Sequence, residues 1–390
     1  MKALRVKASV AFSSALLLVA LAGCAGTGTN SSSGDSASGS ASVSASAAAQ
    51  DTQAATEHTE YFVKDNGDGT KVIKDDTGNE VTIPVAPQRI ANVWHANSSV
   101  LLAMGGGPKL VSTTHYISTI PWFKKVYPGI ADVPVSVADN NALNIEQLIS
   151  DKPDVVLVSN EKQAENIRSA GLTAVMMKST DLQSIEKGVD LTAEVIGTKD
   201  AYQRAQQYKT YFKKNVDLVK ERLKDLPENE KPSVLHLGFG NRPTQASGGG
   251  SMADEWIKLA GGTNAMADVK DSKKVTLEQI AKSQPQVIII GGDTSAQGVQ
   301  TVTTDAAWAD IPAVKDRKII RDPYGTFNWD RYCAELALQV LWSAKALHPN
   351  KFEDVDMVAE TRNFYKTYFN YDLTEDEAKL ILAGDPPAKN

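Results

Sequence analysis

Two separate segments of the chain place a glutamate in nearly the same local sequence. Residues 144–148 read NIEQL and residues 276–280 read TLEQI, and each segment leads through a proline into four consecutive apolar residues. Each segment starts with a capping residue three positions before a glutamine, which predicts the start of a short helix. Glu146 and Glu278 fall in the first turn, where the helix dipole favours a carboxylate that reaches solvent. Plain helix capping and a paired role for two exposed acids both fit, and the matched context favours the paired role.

Aromatic, histidine and arginine residues concentrate in four loops that follow predicted strands. Ligands of α/β proteins bind outside the carboxyl ends of the strands, where backbone amides and loop side chains converge. Aromatic walls would stack on a flat or apolar ligand, and Arg242 or Arg331 would meet its negative charge through bidentate hydrogen bonds. The candidate ligand contacts are Trp94, His95, His115, Tyr116, Trp122, Arg242, Tyr324, Asn328, Trp329 and Arg331.

Several of these side chains also have a purely structural interpretation. His95, directly after a strand, fits a loop residue held by local hydrogen bonds as well as it fits a ligand contact. Trp122 and its neighbour Phe123 fit an apolar cap on the core as well as a cleft wall. Arg331 fits an ion pair with a nearby acid as well as a ligand contact. The sequence leaves these alternatives open.

Composition argues against several classes of partner and site. The net charge of −6 disfavours nucleic acid as a partner, because phosphate binding needs a basic face. The five His and two Cys residues have no CxxC or HExxH spacing, which argues against structural zinc and iron–sulfur clusters. His236 alternates within a predicted strand and is expected in the core, and Cys333 is expected to be a buried apolar thiol.

The glycine-rich motifs of the chain do not support catalysis. Residues 238–240 form a bare GxG, without the third glycine or the following acid of a dinucleotide site. Residues 248–251 (GGGS) lack the lysine of a phosphate loop, and the sequence has no GxSxG nucleophile elbow. We therefore predict a protein that is not an enzyme and needs no cofactor.

The first residues have the pattern of an export signal. Residues 1–23 join a positively charged start to an apolar stretch too short to span a bilayer comfortably. The stretch ends in LAGC, which resembles the bacterial lipobox and implies cleavage before Cys24 and lipid attachment to its sulfur. An ordinary signal peptide with an incidental cysteine is the alternative. Residues 24–58 are rich in Ser, Ala, Gly and Thr, which predicts a flexible tether.

The remaining chain alternates strand and helix patterns, which predicts an α/β fold with mostly parallel sheets flanked by helices. Residues 59–181 form the predicted N-terminal lobe and residues 231–349 the C-terminal lobe, with the ligand cleft between them. Residues 182–230 form a helical backbone in which apolar steps of three and four predict one helix of about 26 residues, near 40 Å long. Residues 350–390 are a predicted C-terminal helical extension.

Taken together, these features resemble the substrate-binding lipoproteins of bacterial ABC importers. The likeness is closest to the group with a rigid helical backbone that captures iron–siderophores, haem and cobalamin, and it covers roughly residues 85–349. It includes residues 248–264, similar to the family's helix that ends in a Gly-Gly-x-Asn turn, and residues 323–331, which lead into a helix in the family's style. The resemblance implies that Glu146 and Glu278 dock into arginine pockets of the membrane permease.

The resemblance implies a metal chelate as ligand, with a ferric siderophore as the first choice. Haem, cobalamin and an oxyanion such as molybdate remain alternatives, and His95 and His115 would favour haem or a directly held metal. An envelope-assembly or adhesion lipoprotein on the same scaffold is the alternative of a different class. The expected partners are a permease dimer with its ATPase and, through the lipid anchor, the extracytoplasmic face of the cell membrane. We expect a monomer that binds no nucleic acid.

Overall fold

The computed structural model describes residues 58–388. The predicted signal segment, Cys24 and all but the last residue of the predicted tether lie outside this range. Among residues 58–388, no helix combines the length and the apolar character that crossing a bilayer requires. The described chain starts with a three-stranded antiparallel sheet. Its strands are β1 Phe62–Asp65, β2 Thr70–Lys74 and β3 Glu80–Pro84.

A five-stranded parallel sheet follows, with strand order β6-β5-β4-β7-β8. All four residues of its apolar run Val155–Val158, next to the central strand, are buried, as expected for a strand covered by helices on both faces. We call this sheet and its helices the N-terminal lobe. Its strands are β4 Ile90–Asn92, β5 Leu110–Thr114, β6 Val135–Val137, β7 Val155–Val158 and β8 Ala174–Met176, and its helices are α1 Ser98–Ala103, α2 His115–Thr119, α3 Pro121–Val126, α4 Ile145–Ser150 and α5 Glu161–Ser169.

Two helices, α6 (Ser184–Ile196) and α7 (Lys199–Leu223), connect the N-terminal lobe to the rest of the chain. Gly197 ends α6 with a positive φ of 67°, and its missing side chain matters because a Cβ there would lie 2.1 Å from a backbone oxygen. The long helix α7 has 25 residues, close to the predicted length of about 26. One continuous helix of this length separates the two sheets.

The second sheet contains both parallel and antiparallel pairs, in the order β12-β10-β9-β13-β14, with the short β11 paired to β9. Strands β9, β13, β14 and β11 pair in parallel, and β10 and β12 add antiparallel pairs. We call this sheet and its helices the C-terminal lobe. Its strands are β9 Ser233–Leu237, β10 Gln245–Ser247, β11 Thr263–Asn264, β12 Ser272–Lys274, β13 Val287–Ile290 and β14 Ile319–Arg321, and its helices are α8 Met252–Leu259, α9 Leu277–Ser283, α10 Ser295–Thr304, α11 Pro312–Lys315 and α12 Leu336–Leu347. The predicted α/β fold class is confirmed.

The C-terminal extension forms helices α13 (Met357–Phe369) and α14 (Glu375–Leu382). Its aromatic residues enter the same apolar core as both lobes and α7. Asp385, just after α14, contacts both lobes: its backbone oxygen accepts a 2.8 Å hydrogen bond from Trp122 Nε1, and its carboxylate pairs with Arg321 at 2.6 Å. The extension therefore packs as part of the folded body.

Candidate functional site

Three cavities meet at Arg331, between the carboxyl ends of the strands of the two lobes. Their volumes are ≈ 140, 400 and 360 Å³, and Arg331 lines all three. The 360 Å³ cavity combines Tyr116 of the N-terminal lobe with Arg242 of the C-terminal lobe. Loops that follow strands of both sheets therefore converge on one cleft, as expected for an α/β binding site.

One wall of the cleft is aromatic. The rings of His95, Tyr116 and Phe327 form a cluster with centroid separations of 5.7–5.8 Å. Burial, assisted by the positive charge of Arg331, lowers the pKa of His95, so its imidazole is neutral at neutral pH. A neutral imidazole has a free nitrogen lone pair, which can accept a hydrogen bond or bind a metal ion.

The opposite wall is cationic. The Phe239 ring lies under both guanidinium groups, with its centroid 4.8 Å from Arg331 Cζ and 5.4 Å from Arg242 Cζ. Arg331 pairs with Asp330 through Nε at 2.6 Å and Nη2 at 2.8 Å, and Nη2 also donates to the Gly238 carbonyl oxygen at 2.8 Å. The ion-pair alternative for Arg331 is thus present, yet its side chain keeps 27 % of its surface exposed in the cleft. Arg331 is therefore held in place by Asp330 and the Gly238 carbonyl oxygen, and it remains accessible to a ligand.

A buried ionisable cluster supports Arg331. His236 Nε2 lies 3.2 Å from Asp330 Oδ2 and 3.9 Å from Asp322 Oδ2, and its Nδ1 lies 2.8 Å from Ser247 Oγ. Although burial opposes its ionisation, the charge and hydrogen bonds of Arg331 hold the pKa of Asp330 below its ordinary value. Burial, followed by the negative charge of Asp330, raises the pKa of Asp322 well above its ordinary value. The pKa values of the two acids are therefore shifted in opposite directions, which favours Asp330 as the ionised member of the pair. The expectation that His236 is a core residue is confirmed.

Asn328 links the two halves of the cleft. Its Nδ2 donates a 3.1 Å hydrogen bond to the Tyr116 hydroxyl, and its Oδ1 has no hydrogen-bond partner among residues 58–388. Asn328 is 3 % exposed and lines the 360 Å³ cavity. A buried polar atom without a partner carries a desolvation penalty of about 1–3 kcal/mol, which a ligand hydrogen bond would relieve.

Three predicted ligand contacts line none of the three cavities that meet at Arg331, and their side chains are buried. Trp122 and Trp329 are 0 % exposed, and Tyr324 is 4 % exposed. Trp122 lies in α3 and donates a hydrogen bond to the C-terminal extension, which fits the alternative of an apolar cap. Tyr324 and Trp329 belong to the loop that carries Arg331, but they face the core.

The remaining predicted contacts lie at the edge of the cleft. Trp94 stacks on Tyr332 with ring centroids 4.6 Å apart. His115 is half-exposed and lies 3.0 Å from Asp139, which lines the 360 Å³ cavity. Phe239 and Phe327 were not among the predicted ligand contacts, although both lie in loops that carry such contacts. The available signal was the position of Phe239 just after β9 and of Phe327 between the predicted contacts Tyr324 and Asn328.

The two glutamates are exposed on equivalent helices. Asn144 caps α4 by accepting a 3.0 Å hydrogen bond from the Gln147 backbone N–H, and a full capping box is present at α9. The capping is done by the residues around Glu146 and Glu278, and neither carboxylate forms a hydrogen bond or ion pair with another residue of the range 58–388. The capping hydrogen bonds are therefore made by other residues, and the two carboxylates support these helix starts only through the helix dipole.

Comparisons with known proteins agree with this architecture. Residues 90–324 match the family model described as periplasmic binding protein. The molybdate-binding protein MolA of Haemophilus influenzae is 26 % identical over 339 residues, which cover 79 % of this chain and 93 % of that protein. A vitamin B12-binding protein of Yersinia pestis is 26 % identical over 222 residues, which cover 55 % of this chain and 74 % of that protein.

A crystal structure of a periplasmic solute-binding protein from Veillonella parvula matches with a TM-score of 0.70 and 28 % identity, covering 80 % of this chain and 97 % of that one. The molybdate-bound structure of MolA matches with a TM-score of 0.69 and 23 % identity, covering 78 % of this chain and 99 % of that one, and supports the fold alone. With a family model matched over more than half of its length and a cleft between two α/β lobes, this chain belongs to the periplasmic binding protein family.

Proposed function

We propose that this protein is the extracytoplasmic substrate-binding subunit of a bacterial ABC importer and that it captures a metal chelate, most specifically a ferric siderophore. The observation that carries the proposal is the pair of guanidinium groups on Phe239, which line the same cavity as the rings of Tyr116 and Phe327. Aromatic faces stack on the flat or apolar groups of an organic chelator, and the guanidinium groups meet its negative charge.

The size of the cleft favours an organic chelate over a bare ion. Two of the cavities that meet at Arg331 have volumes of ≈ 360 and 400 Å³. Sites for small organic molecules typically have volumes of about 300–1,000 Å³. A tetrahedral oxyanion fills roughly the volume of a few water molecules, at about 30 Å³ each.

The charges of the cleft favour a ligand with both negative charge and hydrogen-bond donors. Arg242 is exposed and forms no ion pair within the part of the chain that the structure describes. The acids Asp139 and Asp293 line the same cavity, together with the carboxamide of Asn328. A chelate with anionic oxygens around the metal and amide or hydroxyl groups outside them satisfies both sets of groups.

An oxyanion such as molybdate is the second candidate. The 140 Å³ cavity beneath Arg331 is of a suitable size and is lined by the hydroxyl-bearing residues Ser247, Ser251 and Ser272. The similarity to MolA, a molybdate-binding protein, extends over most of both chains and favours the same candidate.

The ligand class is tested by calorimetric titration of the purified mature protein. The panel comprises ferric catecholate and ferric hydroxamate complexes, haemin, cyanocobalamin and sodium molybdate, with each iron-free chelator as its control. Native mass spectrometry of protein purified from its own host gives an independent answer. We expect micromolar or tighter binding of a ferric complex and no binding of its iron-free chelator. Binding of molybdate alone would favour the second candidate, and binding of none of these ligands would refute the proposed ligand class.

We also propose that Glu146 and Glu278 dock the protein onto its permease. Each is an exposed acid in the first turn of a short helix, one in each lobe, and each lacks an intramolecular partner among residues 58–388. Two carboxylates on equivalent helices are suited to two cationic pockets on a two-subunit partner.

The proposed location is the extracytoplasmic face of the cell membrane, with a lipid on Cys24. The support is the LAGC sequence at residues 21–24 and the similarity to an ABC transporter substrate-binding lipoprotein of Bacillus subtilis, 24 % identical over 63 % of this chain and 76 % of that protein. One acyl chain anchors a protein only marginally, whereas two or more anchor it stably.

A further inference from the structure

The loop between β14 and α12 supplies much of the proposed ligand site. Phe327 contributes to the aromatic wall, Asn328 bonds to Tyr116, and Arg331 lines all three cavities. These side chains recognise a ligand only if the loop backbone holds one shape. What holds the loop in that shape is therefore part of the binding site.

A buried glutamate at the end of the loop makes the first connection. Glu335 Oε1 accepts hydrogen bonds from the Thr326 backbone N–H at 2.7 Å and from its hydroxyl at 2.5 Å. Both residues are 0 % exposed. Thr326 directly precedes Phe327 and Asn328, so this connection sits next to the residues that face the cleft.

The third member of the connection comes from the C-terminal extension. The Tyr365 hydroxyl, on α13, donates to Glu335 Oε1 at 3.1 Å and accepts from the Thr326 backbone N–H at 3.2 Å. Tyr365 is also 0 % exposed. A Cβ on Gly325 would lie 2.1 Å from the Tyr365 hydroxyl, so only a glycine lets the tyrosine approach the loop this closely.

The extension contacts the start of the same loop as well. The Tyr324 backbone N–H donates to the Ile381 carbonyl oxygen at 3.1 Å, and Arg321 pairs with Asp385 at 2.6 Å. The loop is thus held at its start by the segment after α13 and next to its cleft residues by Tyr365.

We propose that Tyr365 is a positioning residue for the ligand cleft: from the C-terminal extension, it fixes the backbone of residues 324–331 without touching the ligand. The proposal rests on the proposed binding function of the cleft. A site whose residues are already held in the bound geometry loses less conformational entropy on binding, so the loss of the Tyr365 hydroxyl weakens binding through the loop.

The test compares Tyr365→Phe with Tyr368→Phe. Tyr368 lies on the same helix and is 4 % exposed, and its side chain forms no hydrogen bond within the described part of the chain. Both variants remove one hydroxyl group from a tyrosine of the same helix, but only Tyr365→Phe removes a bond to the loop. Hydrogen exchange of the unliganded protein reports on the loop, and titration with an iron(III)–tris(catecholate) complex reports on the cleft.

We expect exchange of the Thr326 amide to become about fivefold faster or more in Tyr365→Phe and to stay unchanged in Tyr368→Phe, as the loss of one ordinary hydrogen bond predicts. We expect the dissociation constant to rise by about three- to tenfold in Tyr365→Phe alone. Wild-type exchange in the loop of Tyr365→Phe, or equal changes in both variants, would overturn the proposal. If the wild-type protein binds no chelate, the ligand class fails, and loop exchange alone decides the role of Tyr365.

A second pair of variants probes the close approach at Gly325. Gly325→Ala places a methyl group 2.1 Å from the Tyr365 hydroxyl oxygen and 2.8 Å from Glu335 Oε1, and adding Tyr365→Phe removes the closer of these two contacts. We expect the double variant to regain part of the melting temperature and of the loop protection that Gly325→Ala loses. A double variant no better than Gly325→Ala would show that the hydroxyl does not set the position of the loop.

Discussion

Removing either cleft arginine should lower ligand affinity, but only one of the two removals should also destabilise the fold. Arg242 is exposed on a loop, and its loss removes one charged hydrogen bond to an anionic ligand, worth about 1.5–3 kcal/mol. From sequence alone, removal of Arg331 is expected to lower ligand affinity by a similar amount. The structure changes that expectation, because Arg331 is the bidentate partner of Asp330, whose side chain is 1 % exposed.

The Arg331→Ala substitution leaves a buried carboxylate without its partner. Breaking a buried ion pair on one side costs about 3–5 kcal/mol, since the remaining charge is desolvated and uncompensated. His236 Nε2 remains 3.2 Å from Asp330 Oδ2 after the substitution and offsets part of this cost, so the lower end of the range is the better expectation. The Arg331→Ala, Asp330→Asn double variant removes the unpaired charge and should recover much of the stability.

The pH dependence has a definite sign. Arg331 lowers the pKa of Asp330 in the folded protein, so the pair contributes stability above the unfolded-state pKa of about 4, and this contribution is lost as pH falls through the lower folded-state pKa. In Arg331→Ala, burial without the partner favours the protonated carboxyl group of Asp330, so the penalty of the unpaired charge falls as the pH is lowered. The gap in stability between wild type and Arg331→Ala should therefore be widest near pH 7 and should narrow toward pH 4.

Urea unfolding at pH 7 and pH 4, together with titration of the chelate, measures both effects. Arg242→Ala is the matched control, with weaker binding and wild-type unfolding. Wild-type stability of Arg331→Ala at pH 7, or a double variant no more stable than the single one, would refute this reasoning.

Further variants test docking, anchoring and the N-terminal sheet. Replacing both Glu146 and Glu278 by Ala should abolish uptake through the permease with unchanged ligand affinity, whereas Ala at Glu161, another exposed acid in a first helical turn, should leave uptake intact; a tenfold loss of affinity in the double variant would contradict the docking role. Cys24→Ser should move the protein from membranes to the soluble fraction, and a mature variant that stays on membranes would refute the anchor. Lys71→Met should lower the free energy of unfolding in urea at pH 7 by about 3–5 kcal/mol, because the buried Lys71 Nζ lies 2.8 Å from Oε1 of the buried Glu194. Wild-type unfolding of this variant would contradict a stabilising role for the Lys71–Glu194 ion pair.

Patterns within a few residues were enough to predict the main elements. The runs Val155–Val158 and Val287–Ile290 are strands with the predicted bounds, because β-branched and apolar residues between turn signals favour buried strands. The caps at Asn144 and Thr276 form as predicted, since a capping bond joins residues three positions apart.

The site was predicted only in part, because its loops are shaped by distant segments. Arg331 and Arg242 reach the cleft as expected, but Phe239, which lies under both, was not selected. Trp122 and Trp329 are aromatic residues of the kind that stack on ligands, and both are nevertheless buried.

By itself, the sequence determined the α/β class, the long helix and the loops that approach the cleft, because these depend on short-range patterns of polarity and capping. Only the tertiary structure decided which side chains of those loops face the cleft. Trp122 is covered by Asp385 from the far end of the chain, and Thr326 is held by Tyr365 of the C-terminal extension. Burial of a loop side chain depends on which remote segment packs against it, and no local pattern in the loop encodes that contact.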